Sequence, residues 1–260
     1  MTDDDATTLI TSRDNPWLKR LRKLAHDGAE YRRAGQVWLE GDHLCRALLA
    51  RGGRPELAVF AQSLWSQAPA EWVSAAPRHL VVADALFDSL SALPSPARMG
   101  FVIALPPAPA LDPAAPTVVL DRVQDAGNVG AILRCASAFG FTQVVAIQGA
   151  AALWSQKVMR AGMGAHFGLR LIESAQPELL EQLEVPVLTT SSHGGQLLHR
   201  ASLPWPCAWA FGHEGQGVGP EVAARSALAV RIAQPGGEES LNVAAAAAIC
   251  LHASAAAHAR

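Results

Sequence analysis

Six short apolar runs, at 117–121, 143–147, 168–172, 186–190, 207–211 and 228–232, dominate the second half of this chain. Helical stretches at 129–139, 154–161, 176–183 and 219–225 lie between most of them, and a last helix begins near Leu241. Strands that are apolar without alternation must be buried on both faces. Strands that alternate with helices pair in parallel, with the helices as the covering layers. The predicted fold class is therefore α/β, built on a mostly parallel sheet. Ligands on such sheets sit beyond the carboxyl ends of the strands. The segments 121–134, 189–195, 212–218 and 232–242 all lie just past a predicted strand end, so chemistry is to be sought there.

The pattern changes at 106–116, where five prolines in eleven residues exclude a helix or a central strand and predict a semi-rigid linker. Before it, 58–60, 80–82 and 101–105 read as strands, and 42–51 and 85–90 as helices. The organisation is thus a small α/β domain over 1–105, a linker over 106–116 and a larger domain over 117–260. Half of the residues are apolar and 17% are charged, enough for a sizeable core. Cys45, Cys135, Cys207 and Cys250 are scattered without a Cys-x-x-Cys pair. That argues against a disulfide framework or a zinc site and fits a reducing cytoplasm. The start Met-Thr-Asp-Asp-Asp is the opposite of a secretory signal. The most apolar stretch, 241–256, is alanine-dominated and too short for a bilayer. Neither a metal nor a membrane is expected as a partner.

Several residues could carry chemistry. In 121–140 a strand leads through a turn to Asn128 at a helix start and Arg134 inside the helix. Ala131, Ile132, Cys135 and Ala138 read as the packed face, leaving Arg134 near its edge. Arg134 is either paired with a carboxylate or free to handle an anion or a proton. In 210–220, Gly212, Gly215, Gly217 and Gly219 follow a strand and permit close backbone approach, with Glu214 in their midst as a loop-shaping or a catalytic carboxylate. Neither Gly-x-Gly-x-x-Gly nor a phosphate-binding Gly-x-x-x-x-Gly-Lys-Ser/Thr is present. Ser240 is a natural N-cap for the alanine-rich helix, whereas Asn242 in the first turn is less readily explained. That alanine run suggests a close helix contact, internal or across a dimer. The loop after 186–190 offers hydroxyls and glycines, Thr190 among them, to a polar ligand edge. Finally, Arg13, Lys19, Arg20, Arg22, Lys23, Arg32 and Arg33 stand against Asp14, Asp27 and Glu30, a local excess of positive charge in a chain of net charge -2. A solvated helix face explains such a run; with Trp17 and Tyr31 beside it, so does contact with RNA phosphate.

Asn128, Gly130 and Arg134; Gly212, Glu214, Gly215 and Gly217; and Ser240-Leu-Asn-Val243 together resemble the three signature motifs of the SpoU (TrmH-like) family of RNA ribose 2′-O-methyltransferases, in order and spacing. The stretch 11–19, with Leu39-Glu-Gly-Asp-His43, resembles that family's L30e-like substrate-binding domain. The chain departs from the family pattern at Ala126, His213, Gln234 and Gly162. The resemblance implies a SPOUT fold with a C-terminal trefoil knot, and a homodimer. It also implies that S-adenosylmethionine lies in the loops 189–195, 212–218 and 232–242, lined by Thr190, Gly212, Gly217, Ile232 and Leu241. Arg134 would hold the target phosphate and assist deprotonation of the 2′-hydroxyl, acting in its own subunit or across the dimer. Asn128 would orient Arg134 and the ribose, with Glu214, Ser240 and Asn242 in support. Arg13, Lys19, Arg20, Arg22 and Lys23 would contact RNA, ribosomal RNA before transfer RNA. A nicotinamide-dependent oxidoreductase and a non-catalytic RNA-binding protein of the same fold are the rival readings.

Overall fold

The computed structural model describes residues 7–91, 96–191, 194–236 and 240–258, so the acidic start and the tip of the 189–195 loop, Ser192 and His193, lie outside the described residues. The chain divides into two compact units, 1–107 with 154–159, and 108–153 with 160–260.

The first unit is a five-stranded mixed sheet. Its strands are β1 (Thr7–Ile10), β2 (Gln36–Glu40), β3 (Leu57–Ala61), β4 (His79–Val82) and β5 (Met99–Ala104), in the order β1-β4-β3-β5-β2. Around it run α1 (Pro16–His26), α2 (Glu30–Ala34), α3 (Asp42–Ala50), α4 (Gln62–Trp65), α5 (Ala70–Val73) and α6 (Asp84–Phe87). The basic run falls largely on α1. Asn15 caps that helix through its side chain, Pro16 occupies the first turn, and Leu18, Leu21, Leu24 and Ala25 are buried at helical spacing. The lysines and arginines take the other face. The strands β1 and β2 were not expected from the sequence, and the stretch 85–90 resolves into the end of α6 and a short 3₁₀ turn.

The second unit holds β6 (Thr117–Asp121), α7 (Ala126–Ala138), β7 (Gln143–Ile147), α8 (Gln156–Gly162), β8 (Arg170–Ala175), β9 (Val187–Thr190), β10 (Gln196–Leu197), β11 (Ala208–Gly212), α9 (Pro220–Ala223), β12 (Ser226–Arg231) and α10 (Val243–His258), although the first part of α8 belongs to the first unit. All strand pairs of its seven-stranded sheet are parallel, in the order β10-β12-β9-β11-β6-β7-β8. The α/β class and the parallel sheet are as expected, and β6 and β7 have the predicted bounds. The chain winds outward through β6, β7 and β8, then returns to the other side of β6. There β11 enters between β9 and β6. This reversal brings the ends of β6, β9, β11 and β12 to one edge.

Three local readings need correction. The predicted helix 176–183 is a 3₁₀ segment, Pro177–Gln182. The packed stripe of α7 is Val129, Ile132, Leu133 and Ala136, with Gly130, rather than one through Ala131, Cys135 and Ala138. And α10 starts at Val243, so Asn242 rather than Ser240 precedes its first turn.

Small residues set the approach distances. A Cβ at Gly130 would lie 2.4 Å from Ala161 Cβ and 2.7 Å from the Gly162 nitrogen, so α7 touches the 161–162 backbone. A Cβ at Gly162 would in turn fall 2.5 Å from His166 Cε1. The departure from the family pattern at Gly162 therefore makes room for the His166 ring, which is 2% exposed with Nε2 at 2.8 Å from the Leu153 carbonyl. Burial holds this imidazole neutral and pushes its pKa down from 6.5 to about 4. As pH falls below 6.5 the unfolded chain takes up a proton that the folded chain refuses, so stability is retained above 6.5 and lost between 6.5 and 4. Urea midpoints should report stability lower by roughly 2 kcal/mol at about pH 5 than at pH 7 from this group, a difference absent in His166→Gln. Parallel pH profiles for the two proteins would contradict it.

Candidate functional site

The three segments singled out in the sequence meet at the carboxyl edge of the parallel sheet. Asp125 caps α7, its side chain accepting from the Asn128 nitrogen at 2.7 Å. Beyond β11 the chain folds back at once: the Gly217 nitrogen donates to the His213 carbonyl at 2.8 Å, and the Gly215 nitrogen to His213 Nδ1 at 3.0 Å. The turn is possible because Gly212 has no side chain. A Cβ there would stand 2.0 Å from the Gly217 carbonyl carbon and 2.1 Å from the Val218 nitrogen. The fold-back presents Glu214 to the start of α7, where its carboxylate accepts from the nitrogens of Gln124 (3.4 Å) and Asp125 (3.2 Å) and from Asn128 Nδ2 (3.1 Å).

Asn128 is bound on its other end as well. Its Oδ1 accepts from Asn242 Nδ2 at 3.0 Å, while Asn242 Oδ1 accepts from the nitrogens of Ala244 (2.9 Å) and Ala245 (3.3 Å), which caps α10. The direction of this chain is forced from both ends. A carboxylate only accepts, and the first-turn N–H groups of a helix only donate. Both asparagine amides therefore have one permitted orientation. Glu214, Asn128, Asn242 and the α10 terminus form a single file of hydrogen bonds that ties the three strand-end segments together. Partial burial works to raise the Glu214 pKa, but the backbone nitrogens and Asn128 outweigh it and hold the carboxyl below its ordinary value. These bonds tie the 213–217 turn to the start of α7. Asn242, unexplained as a helix former, is explained as a cap.

Arg134 is not part of this file. It lies about 9 Å along α7 from Asn128 and roughly 120° around it. It is exposed and makes no hydrogen bond or ion pair among the described residues. Asn128 commits both ends of its amide elsewhere, so within one chain it does not orient Arg134. Ser240 is exposed beside the cap.

The residues expected at a cofactor are on the same edge. Thr190 and Gly212 end β9 and β11, Ile232 follows β12, and Leu241, 40% exposed, precedes α10. The loop after β9 is pressed onto β12: a Cβ at Gly195 would lie 2.5 Å from the Ala229 carbonyl oxygen. At Gly195 and Gly212 the space of a side chain is taken by the chain's own backbone, so these loops lie tight against their neighbours, while Gly217 has open space beside it.

The first unit carries the basic residues. Arg20 and Arg78 both lie over the Trp17 ring, at 5.6 and 5.1 Å from its centroid. Lys19 pairs with Asp14 at 2.8 Å, and Arg22 is held by Ser89 Oγ at 2.8 Å, while Arg13 and Lys23 are exposed. Sequence reasoning missed Arg78, which is remote in the chain and nondescript there. It also missed Asp121, 2% exposed, which accepts from the Gly219 nitrogen at 2.5 Å and from Arg122 Nε at 2.9 Å. A carboxylate ending a buried strand was the available signal. Among the described residues no group of His, Cys, Asp or Glu is placed to hold a metal ion, and no helix is long and apolar enough to cross a membrane.

A parallel α/β unit whose strand-end segments are tied together by the Glu214–Asn128–Asn242 hydrogen bonds has the arrangement of a doubly wound domain. The chain belongs to the SpoU rRNA Methylase family, whose model matches residues 115–252. It is 31% identical to an uncharacterised tRNA/rRNA methyltransferase of Synechocystis, over 97% of this chain and 94% of the relative. It is 28% identical to the 23S rRNA (guanosine(2553)-2′-O)-methyltransferase RlmP of Bacillus subtilis, over 94% and 97%. Its fold is shared with an AdoMet-bound rRNA methyltransferase from Sinorhizobium meliloti, with a TM-score of 0.86 and 23% identity over 98% of this chain and 100% of the other.

Proposed function

We propose that this chain transfers a methyl group from S-adenosylmethionine to a ribose 2′-hydroxyl in ribosomal RNA. The observation that carries the reading is the hydrogen-bonded file Glu214–Asn128–Asn242, which gathers the three family motifs at one sheet edge. When bound, S-adenosylmethionine would supply a sulfonium-activated methyl. Thr190, Gly212, Gly217, Ile232 and Leu241 would hold it, largely through backbone. Glu214 and Asn128 keep the glycine turn closed, and these loops together would form the cofactor cradle. Asn242 fixes the start of α10, and Ser240 stands beside it at the substrate end. Arg134, always protonated, would grip the phosphate next to the target ribose and stabilise the negative charge on the 2′-oxygen as its proton passes to water or to that phosphate.

The separation of Arg134 from the file supports action across a homodimer. Ala245, Ile249 (41% exposed), His252 and Ala256 lie exposed at helical spacing along α10, the His252 ring edge-on to Phe139 at 5.4 Å, and this stripe supports a dimer surface there. The order of β9, β11 and β6, with α10 packed on α7, supports the knotted topology of the family. The first unit, with Arg13, Lys19, Arg20, Arg22 and Lys23 on or near α1, would bind the RNA, and the cytoplasm is the compartment where that RNA is found.

The test is methyl-labelled S-adenosylmethionine with protein-free ribosomal RNA and, separately, transfer RNA. Label in alkali-resistant dinucleotides from ribosomal RNA is the expected result. Label in such dinucleotides from transfer RNA alone moves the substrate, and label on a base or on no RNA overturns the reading.

A further inference from the structure

Arg122 has a positive φ of 61°, a conformation that a β-carbon makes unfavourable, one residue after β6. Such strain persists where the surroundings over-determine it. Here they do. Its stem passes Gly149, where an added Cβ would lie 3.3 Å from Arg122 Cγ. Its guanidinium lies against Gly219, where an added Cβ would lie 2.6 Å from Nη2. Asp121 holds Nε at 2.9 Å, and Nη1 reaches Gln216 Oε1, in the turn that carries Glu214, at 3.4 Å. The result is a fixed, planar guanidinium whose charge is already paired.

Arg122 lines a cleft of about 340 Å³ at the ends of β6, β7 and β8, together with Gln148, Gln176, Pro177, Pro220 and Glu221. Gln176 Nε2 donates to Gln148 Oε1 at 2.9 Å. That leaves Gln148 Nε2 as a donor beside Gln176 Oε1 as an acceptor, with no further side-chain hydrogen bond among the described residues. With the arginine neutralised and Glu221 on the wall, the cleft repels a phosphate. It suits a flat, uncharged group with an adjacent acceptor and donor on its edge. Such groups are nucleobases, which single-stranded RNA presents to arginine planes for stacking and to amides for edge recognition. The loop from Arg122 runs directly into Gln124 and Asp125, which hold Glu214.

We infer that this cleft is a subsite for a nucleobase of the substrate RNA, next to the methylated nucleotide. The inference rests on the methyltransferase reading for its RNA, but its test does not use methyl transfer. Saturation-transfer NMR with the uncharged nucleosides adenosine, guanosine, cytidine and uridine should show saturation at the base protons of at least one of them. Gln148→Ala with Gln176→Ala, both exposed in the folded protein, should abolish that signal while calorimetric S-adenosylmethionine affinity stays within about twofold. Arg122→Gly relieves the φ strain but leaves the buried Asp121 carboxylate without its charged partner, so the urea midpoint should fall, and the base signal should be lost as well. Saturation of no nucleoside, or a base signal that survives in both variants, overturns the subsite even if methyl transfer to RNA is observed. Failure of methyl transfer with the base signal intact leaves the cleft and removes the reaction.

Discussion

Arg134→Ala is expected to lower methyl transfer to RNA by roughly 10³-fold, while S-adenosylmethionine affinity and the urea midpoint stay close to wild type. The structural half follows from position. Arg134 is exposed on α7, outside the buried stripe of Val129, Ile132, Leu133 and Ala136, and supports no other group among the described residues. Truncating it removes no packing. The functional half follows because an arginine with no structural duty, on the helix that bears Asn128, remains available to an anion. Arg134→Lys should recover only part of the loss, since an ammonium keeps the charge but not the two-pronged grip on phosphate. Mixing Arg134→Ala with Asn242→Ala protomers distinguishes the two ways of supplying the arginine. If Arg134 serves the partner's site, mixed dimers regain one intact site and activity returns. If it serves its own, they remain inactive. Methylation by Arg134→Ala near the wild-type rate with unchanged cofactor binding would remove Arg134 from the mechanism.

The second unit was readable because its strands are buried on both faces. Val118, Val119 and Leu120 of β6 and Val144, Val145 and Ala146 of β7 leave no polar position to blur the run. In the first unit, β1 is an edge strand in which Leu9 is 53% exposed and its neighbour Ile10 is buried. Its sequence carries too little apolar signal to mark a strand. The segment β2 lies between Gly35 and Gly41, both at positive φ, and pairs with β5, remote in the chain. The residue types of the candidate site were legible, but their wiring was not. Asn128 meets Glu214 across 86 residues and Asn242 across 114. No local propensity encodes such meetings, which depend on β11 entering the sheet beside β6. The same remoteness hid Arg122, whose significance lies in a backbone angle and in two glycines that accommodate its side chain. Gly162 and His166 show a departure from a family pattern becoming intelligible as packing, because one vacates the volume the other fills.

Gly212→Ala should be the most damaging single methyl group that can be added to the site. The atoms it would strike, the Gly217 carbonyl carbon at 2.0 Å, the Val218 nitrogen at 2.1 Å and the Gly217 oxygen at 2.2 Å, are all backbone. No rotamer change relieves them. Either β11 shifts between β9 and β6, or the 213–217 turn opens. The strand is held by ladders on both sides, so the turn opens, and Glu214 leaves Gln124, Asp125 and Asn128. Overpacking of this kind costs about 1–3 kcal/mol, and each of the three hydrogen bonds lost adds about 1 kcal/mol, so destabilisation of roughly 4–6 kcal/mol is expected. Cofactor affinity should fall by more than about tenfold, because the cradle opens with the turn. Gly217→Ala is the control. Its φ of +69° carries a strain of about 1 kcal/mol for alanine, but nothing lies within 4 Å of the added carbon. The Glu214–Asn128–Asn242 file should survive, and cofactor affinity should change by less than about threefold. Two glycines of one motif are thus required for different reasons, one for volume and one for angle. Equal losses in the two variants, in urea midpoint and in calorimetric affinity, would mean that the close approach at Gly212 does not hold the site together.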